Sequence, residues 1–152
     1  MTLVFDTETT GFSPANDRLV ELGAVKIRNG EVLGEKNWLI NPQRWIPYYV
    51  QKVHNITPEM VKDQPVFADI YPEFLEFIGD AVLIAHNAPF DIRMLAAEAE
   101  RNGMPMPKNA VLDSLVLFRN WYPELKFHTV SAMIDHFSIA TEGMQAHRAN
   151  AD

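Results

Sequence analysis

The sequence predicts an α/β fold: one mixed sheet of about five strands with flanking helices. Three observations carry this expectation. Apolar runs near the N-terminus are joined by an Asn-Gly step, the mark of an antiparallel hairpin. Residues 67–78 show a helical apolar period. The continuous run Ala81-Val82-Leu83-Ile84-Ala85 then leads into another helical stretch, so strands and helices alternate without the regular βαβ repeat of a fully parallel sheet.

Taken in order, Thr2-Leu3-Val4-Phe5 reads as a short buried strand. It gives way to a turn through the polar Asp6-Thr7-Glu8-Thr9-Thr10-Gly11, with Gly11 and Pro14 as breakers. Residues 19–27 are a second apolar run, and Arg28-Asn29-Gly30-Glu31 turns it tightly into a third strand around Trp38-Leu39-Ile40. These three strands are expected as an antiparallel meander. Pro42, Pro47, Pro58 and Pro65 punctuate the following stretch, which is read as loops with one short helix opening at Thr57-Pro58-Glu59. Ile70, Phe74, Leu75, Phe77 and Ile78 then share a helical face, and Gly79 closes it. Residues 81–85 are expected as a strand buried on both faces, and residues 90–102 as a helix stopped by Gly103 and Pro105. Val111-Leu112 reads as a fifth strand, followed by helices over 114–121 and 129–136.

At 152 residues the chain has the size of one domain, 1–152, able to bury roughly two thirds of its unfolded surface. No run approaches the ~20 apolar residues of a membrane span, and Leu3-Val4-Phe5 follows the N-terminus with no secretory pattern. The absence of cysteine excludes disulfide scaffolds, thiol catalysis and Cys-ligated zinc, and a cytoplasmic location is expected. Thirteen basic against twenty acidic residues give a net charge of −7, the wrong sign for holding duplex DNA by neutralising many phosphates. Acids gathered around bound cations would reverse that sign locally.

The acids worth attention follow strand ends, where ligand sites of open α/β sheets lie. Asp6 and Glu8 are two residues apart, so an extended chain puts both carboxylates on one face, and a hard divalent cation relieves their repulsion. Alone, such a pair is more often a solvated turn. Asp91 falls in the first turn of the helix after the apolar strand, where an acid also complements the helix dipole. His147 and Asp152 are five residues apart, which on one helix separates the two side chains by about 140°. Asp6, Glu8, Asp91 and Asp152 together offer four oxygen donors beside one titratable His147.

The segments Val4-Phe5-Asp6-Thr7-Glu8-Thr9-Thr10-Gly11, Ala85-His86-Asn87-Ala88-Pro89-Phe90-Asp91 and Ala146-His147-Arg148-Ala149-Asn150-Ala151-Asp152 resemble the three motifs of the DnaQ-like, or DEDDh, exonuclease family. Val53-His54-Asn55-Ile56-Thr57 and Val111-Leu112-Asp113-Ser114 resemble intermediate segments, so the resemblance runs the length of the chain.

The resemblance implies an RNase H-like fold and a two-metal hydrolysis that removes nucleotides from a 3′ end, with two Mg²⁺ or Mn²⁺ ions as cofactors. It implies that Asp6 bridges both ions, Glu8 and Asp152 complete the shell of the first ion, Asp91 helps to hold the second ion, and His147 activates the attacking water. The backbone at Thr7 and Glu8 would meet the terminal hydroxyl, with Phe12 and His54 against the last base. Phe12 as a core anchor and His54 in a helix-capping or surface role remain open, and Asn87 is expected as a hydrogen bonder near the substrate. His86, His128 and His136 are read as structural. The implied partners are a nucleic-acid 3′ end, single-stranded DNA before RNA, and a DNA polymerase subunit. Two departures stand out. Pro89 sits where the family often has a small polar residue, and family domains continue in helix past the last motif aspartate, so the domain is expected to lack its C-terminal helix. An RNA-trimming enzyme of the same family and a catalytically weak binding module are the alternatives. A merely metal-binding acidic surface would leave the three-motif arrangement unexplained.

Overall fold

The computed structural model describes residues 1–141. Strands β1 (Thr2–Thr9), β2 (Leu19–Arg28) and β3 (Glu31–Leu39) form the expected antiparallel meander. The hairpin turn places Asn29 at φ 53° and Gly30 at φ 82°, the two positive values that an Asn-Gly turn of this kind requires. After helices α1 (Tyr48–His54), α2 (Pro58–Val61) and α3 (Phe67–Ile78), strand β4 (Val82–Ala85) returns parallel to β1. Helix α4 (Ala88–Arg101) then leads to β5 (Val111–Asp113), parallel to β4, and α5 (Ser114–Trp121) and α6 (Val130–Phe137) follow. The strand order is β3-β2-β1-β4-β5, the mixed five-stranded sheet that the pattern predicted.

One face of the sheet carries the core. Leu3 and Phe5 of β1 point inward with Leu22, Ala24, Leu83 and Ala85, and α3 and α4 cover them. Phe74 of α3 is fully buried between Phe5 and Trp38, with ring centroids 6.4 and 5.9 Å away. Burying each such side chain is worth roughly 1.5–3 kcal/mol. A smaller cluster of Val20, Ile46, Val50, Ile56 and Val61 seats α1 and α2. The opposite face of β1 opens onto a groove lined by Val4 and Asp6 and walled by Phe118 of α5 and Met133 of α6.

Three expectations are corrected. β1 does not end at Phe5: it runs on to Thr9, because Asp6, Thr7 and Glu8 continue to pair with Gly23, Leu22 and Glu21 of β2. Polar residues stay extended here since neighbouring strand pairing, not their own hydrophobicity, holds them. Residues 41–65 hold two helices where one was expected. Pro47 precedes α1 and does not interrupt it, and Asn55 closes it at φ 58° with its N–H on the Gln51 carbonyl at 2.8 Å. In β4 only alternate residues, Leu83 and Ala85, are buried, and Val82 and Ile84 are half-buried because their face is the more open one.

Candidate active site

Alternation along β1 separates two sets of side chains. Asp6 and Glu8 lie on one face with Thr2 and Val4, as their spacing predicted, and Thr7 and Thr9 are buried on the other. β4 pairs with β1 only through Thr2, Val4 and the residue between them, so beyond Val4 that edge of β1 meets the start of α4 instead.

There Asp91 closes the gap. Helix α4 buries Ala88, Asp91, Met94, Leu95, Glu98 and Ala99, one stripe at helical spacing on which Asp91 takes a core position. Its Oδ1 accepts the Thr7 backbone N–H at 3.1 Å and the Thr7 hydroxyl at 2.6 Å. With 2% of its surface exposed, the carboxyl is pushed up to about 6, chiefly by burial and slightly by the charge of Asp113. The Thr7 bonds pull the other way. Residues 84 positions apart in sequence are thereby fixed at one point, with Thr7 standing between Asp6 and Glu8 on the same strand.

The loop after β1 is equally constrained. Asp17 accepts the Thr10 hydroxyl at 3.0 Å and the Ser13 N–H at 2.9 Å, and pairs with Arg44 at 3.5 Å. It passes so close beneath Gly11 that a Cβ there would sit 2.5 Å from Oδ2, which is why this position takes glycine. Phe12 is held out on this loop with 74% of its surface exposed and its ring 6.2 Å from that of Phe90, which rules out a core anchor. His54, the last residue of α1, is buried at 2% exposure. Its Nδ1 accepts the Ile56 N–H at 3.0 Å, so the proton sits on Nε2 and donates to the Thr9 carbonyl at 3.3 Å.

At the end of β4, Asn87 is exposed at φ 66° and its N–H donates to Asp113 Oδ1 at 3.0 Å. The same oxygen caps α5 through the Leu115 N–H at 2.9 Å, so Asp113 locks the corner from which the Asp91 helix departs. His86 contacts the Ser114 hydroxyl at 3.0 Å, His128 contacts the Tyr122 carbonyl at 2.8 Å, and His136 packs edge-on against Tyr122. Sequence reading gave Asp113 no role. It also passed over Glu21, a fully buried carboxylate inside an apolar run, which stands opposite Glu8 across the strand pair and accepts from Asn37 Nδ2 at 2.9 Å. A charged residue in a buried strand was the available signal. Glu98 is a third case: buried in α4, it binds Arg18 Nε at 2.6 Å and the Leu19 N–H at 3.2 Å.

The expected His147 and Asp152 lie outside the described residues. Among the described residues no three acid or imidazole side chains gather into a metal-holding group. The donor chemistry of Asp6, Glu8 and Asp91 nevertheless suits hard divalent cations: oxygen donors alone, with a desolvated carboxyl in Asp91 that a nearby positive charge would keep ionised. Among the described residues no helix is long and apolar enough to cross a membrane.

Known proteins resemble this chain along its length. The RNase_T family profile, described as exonuclease, matches residues 3–152. The DNA polymerase III PolC-type protein of Clostridium perfringens (strain 13 / Type A) is 39% identical over 150 residues, covering 99% of this chain and 10% of its own. This chain thus spans about a tenth of the PolC-type relatives it matches. The DNA polymerase III subunit epsilon of Rickettsia prowazekii (strain Madrid E) is 37% identical over 156 residues, covering 99% of this chain and 68% of its own. Among solved structures, Exonuclease X in complex with 5′ overhanging duplex DNA superposes with a TM-score of 0.81 at 27% identity, covering 99% of this chain and 83% of that one. A structure of exonuclease I, at 20% identity and a TM-score of 0.87 over 99% of this chain and 38% of that one, shares the fold. The RNase H-like architecture expected from the sequence is the one observed.

Proposed function

This chain belongs to the RNase_T exonuclease family, and from that premise we propose that it hydrolyses the terminal phosphodiester of DNA from the 3′ end, releasing nucleoside 5′-monophosphates. The observation that carries this reading is the pair of hydrogen bonds that Thr7 donates to the buried Asp91, which sets the second motif's carboxylate against the strand bearing Asp6 and Glu8. A buried, desolvated carboxylate held this way serves chemistry better than stability.

Asp6, Glu8, Asp91 and Asp152 would hold two Mg²⁺ or Mn²⁺ ions. When bound, such ions stabilise the charge on the attacking and leaving oxygens of an in-line displacement. The protein's own groups do the rest. Thr7 fixes the Asp91 carboxylate, so that its position costs nothing at the moment of reaction. The exposed Phe12 ring stacks on the last base, and His54, bonded to the Thr9 carbonyl, supports the loop on which that ring sits. His147, as the neutral imidazole, takes the proton from the attacking water. The water oxygen bonds to the terminal phosphorus as the bond to the preceding O3′ breaks, and that oxygen departs, taking up a proton from solvent to become the new 3′-hydroxyl.

The names of the relatives favour DNA and a place beside a polymerase. A 5′-labelled single-stranded DNA oligonucleotide should shorten stepwise from its 3′ end, with an RNA of the same sequence shortened more slowly. Endonucleolytic fragments, or RNA consumed faster than DNA, would overturn the reading in direction or in substrate.

A further inference from the structure

Trp45, Tyr48 and Tyr49 are 69%, 66% and 61% exposed, three large rings within five residues. Local packing turns them outward: Ile46 and Val50, their neighbours, are buried in the small cluster that seats α1. Exposing this much aromatic surface in one place marks a contact surface.

The surroundings say of what kind. In a chain of net charge −7, residues 36–58 contain no Asp or Glu but include Lys36, Arg44 and Lys52. Lys36 of β3 is engaged by Glu73 and Arg44 by Asp17, so Lys52 of α1 sets the local sign beside the rings. Lys52 lies one helical turn from Tyr48, with Nζ 4.8 Å from the ring centroid. Rings interleaved with cations are the recognition elements for single-stranded nucleic acid, the bases stacking and the phosphates meeting positive charge.

The segment is also tied to the site at both ends. Arg44 pairs with Asp17 beneath Gly11, and His54 at the far end of α1 bonds to the Thr9 carbonyl, so exposed Phe12 stands on the same loop that both contacts brace. A helix of seven residues is about 10 Å long, the rise of about three stacked nucleotides.

We propose that Trp45, Tyr48 and Tyr49, flanked by Lys52, form a stacking platform for single-stranded DNA several nucleotides back from the 3′ end. This rests on the exonuclease reading and adds a specificity to it: substrates long enough to reach the platform bind more tightly than short ones.

The test is fluorescence anisotropy of 5′-fluorescein oligo(dT) of 12 and 3 nucleotides in EDTA, paired with a mononucleotide-release assay in Mn²⁺. W45A/Y48A should weaken 12-mer binding at least about tenfold, since each stacked ring contributes ~1–3 kcal/mol. Trinucleotide binding should change less than about twofold. K52A should lower the salt slope of 12-mer binding by about 0.7. Unchanged thermal melts show that the variants are folded, as exposure of these side chains leads one to expect. If both folded variants bind the 12-mer like the parent protein, or the parent protein binds 3-mer and 12-mer equally, the platform is wrong, and the surface meets a protein instead. Mononucleotide release would then persist and leave the exonuclease reading standing. Length-dependent binding with these losses, but no release, would overturn the exonuclease reading and keep the platform.

Discussion

Asp91 occupies a place on the buried stripe of α4 where a leucine would stabilise more, and its ionisation therefore has a sign that can be worked out. Its folded value of about 6 lies above the ordinary carboxyl value of 3.8. Its favourable contribution is present in full below pH 3.8 and is lost as pH rises through 6, so at neutral pH the ionised group costs about 3 kcal/mol. Asp91→Asn keeps an oxygen for Thr7 and removes the charge. In metal-free buffer at pH 7 it should melt higher than the parent protein by an amount that shrinks towards pH 4, and it should lose exonuclease activity. Equal melting of the two at every pH would show that Asp91 carries no such penalty. Asp6→Ala tests the opposite pattern at a half-buried position. Stability should change little, and the rate should fall at least ~10³-fold, the scale of losing a principal catalytic group. The period of two made the shared face of Asp6 and Glu8 legible in the sequence, and the helix-start position of Asp91 was legible too. The Thr7–Asp91 bond was not, because it joins residues 84 apart whose meeting depends on where β4 stops pairing with β1.

At the level of elements, the loop from Gly11 to Arg18 is a brace between the strand carrying the acids and the helix carrying Asp91. Gly11→Ala would drive a methyl against the Asp17 carboxylate, which cannot swing aside without leaving Thr10, Ser13 and Arg44. A loss of about 1–3 kcal/mol in chemical denaturation is expected, with a raised KM as Phe12 loses its footing. A variant of unchanged stability and KM would show that Asp17 has a second position of equal energy. Glu98→Ala removes the clamp on Arg18 and the Leu19 N–H, and should cost about 2–4 kcal/mol, read from the same denaturant curves. The elements that sequence reading identified were those with apolar periods, turn chemistry or clear stops, among them the Asn29-Gly30 hairpin, α3, α4 and α5. It missed α1, a helix of seven residues with only Val50 and His54 buried, too short to display a period and sandwiched between prolines. It also stopped β1 four residues early, since Asp6-Thr7-Glu8-Thr9 has no apolar alternation and is held extended by β2.

For the whole molecule, one sheet divides the labour. The face bearing Leu3 and Phe5 holds the fold together through α3 and α4, and the face bearing Asp6 and Glu8 is left to the groove under α5 and α6. A net charge of −7 is compatible with a nucleic-acid substrate only if the acids on that second face bind cations, because bare carboxylates repel phosphate. The central claim is therefore that these carboxylates are a cation-dependent hydrolytic site. It is tested most directly by following mononucleotide release from a 3′-labelled single-stranded DNA oligonucleotide in Mn²⁺, in excess EDTA, and in Mn²⁺ with Asp6→Ala. The account predicts rapid release in the first case and loss of at least ~10³-fold in the other two. Release that persists in EDTA, or that survives Asp6→Ala in a folded protein, would contradict it.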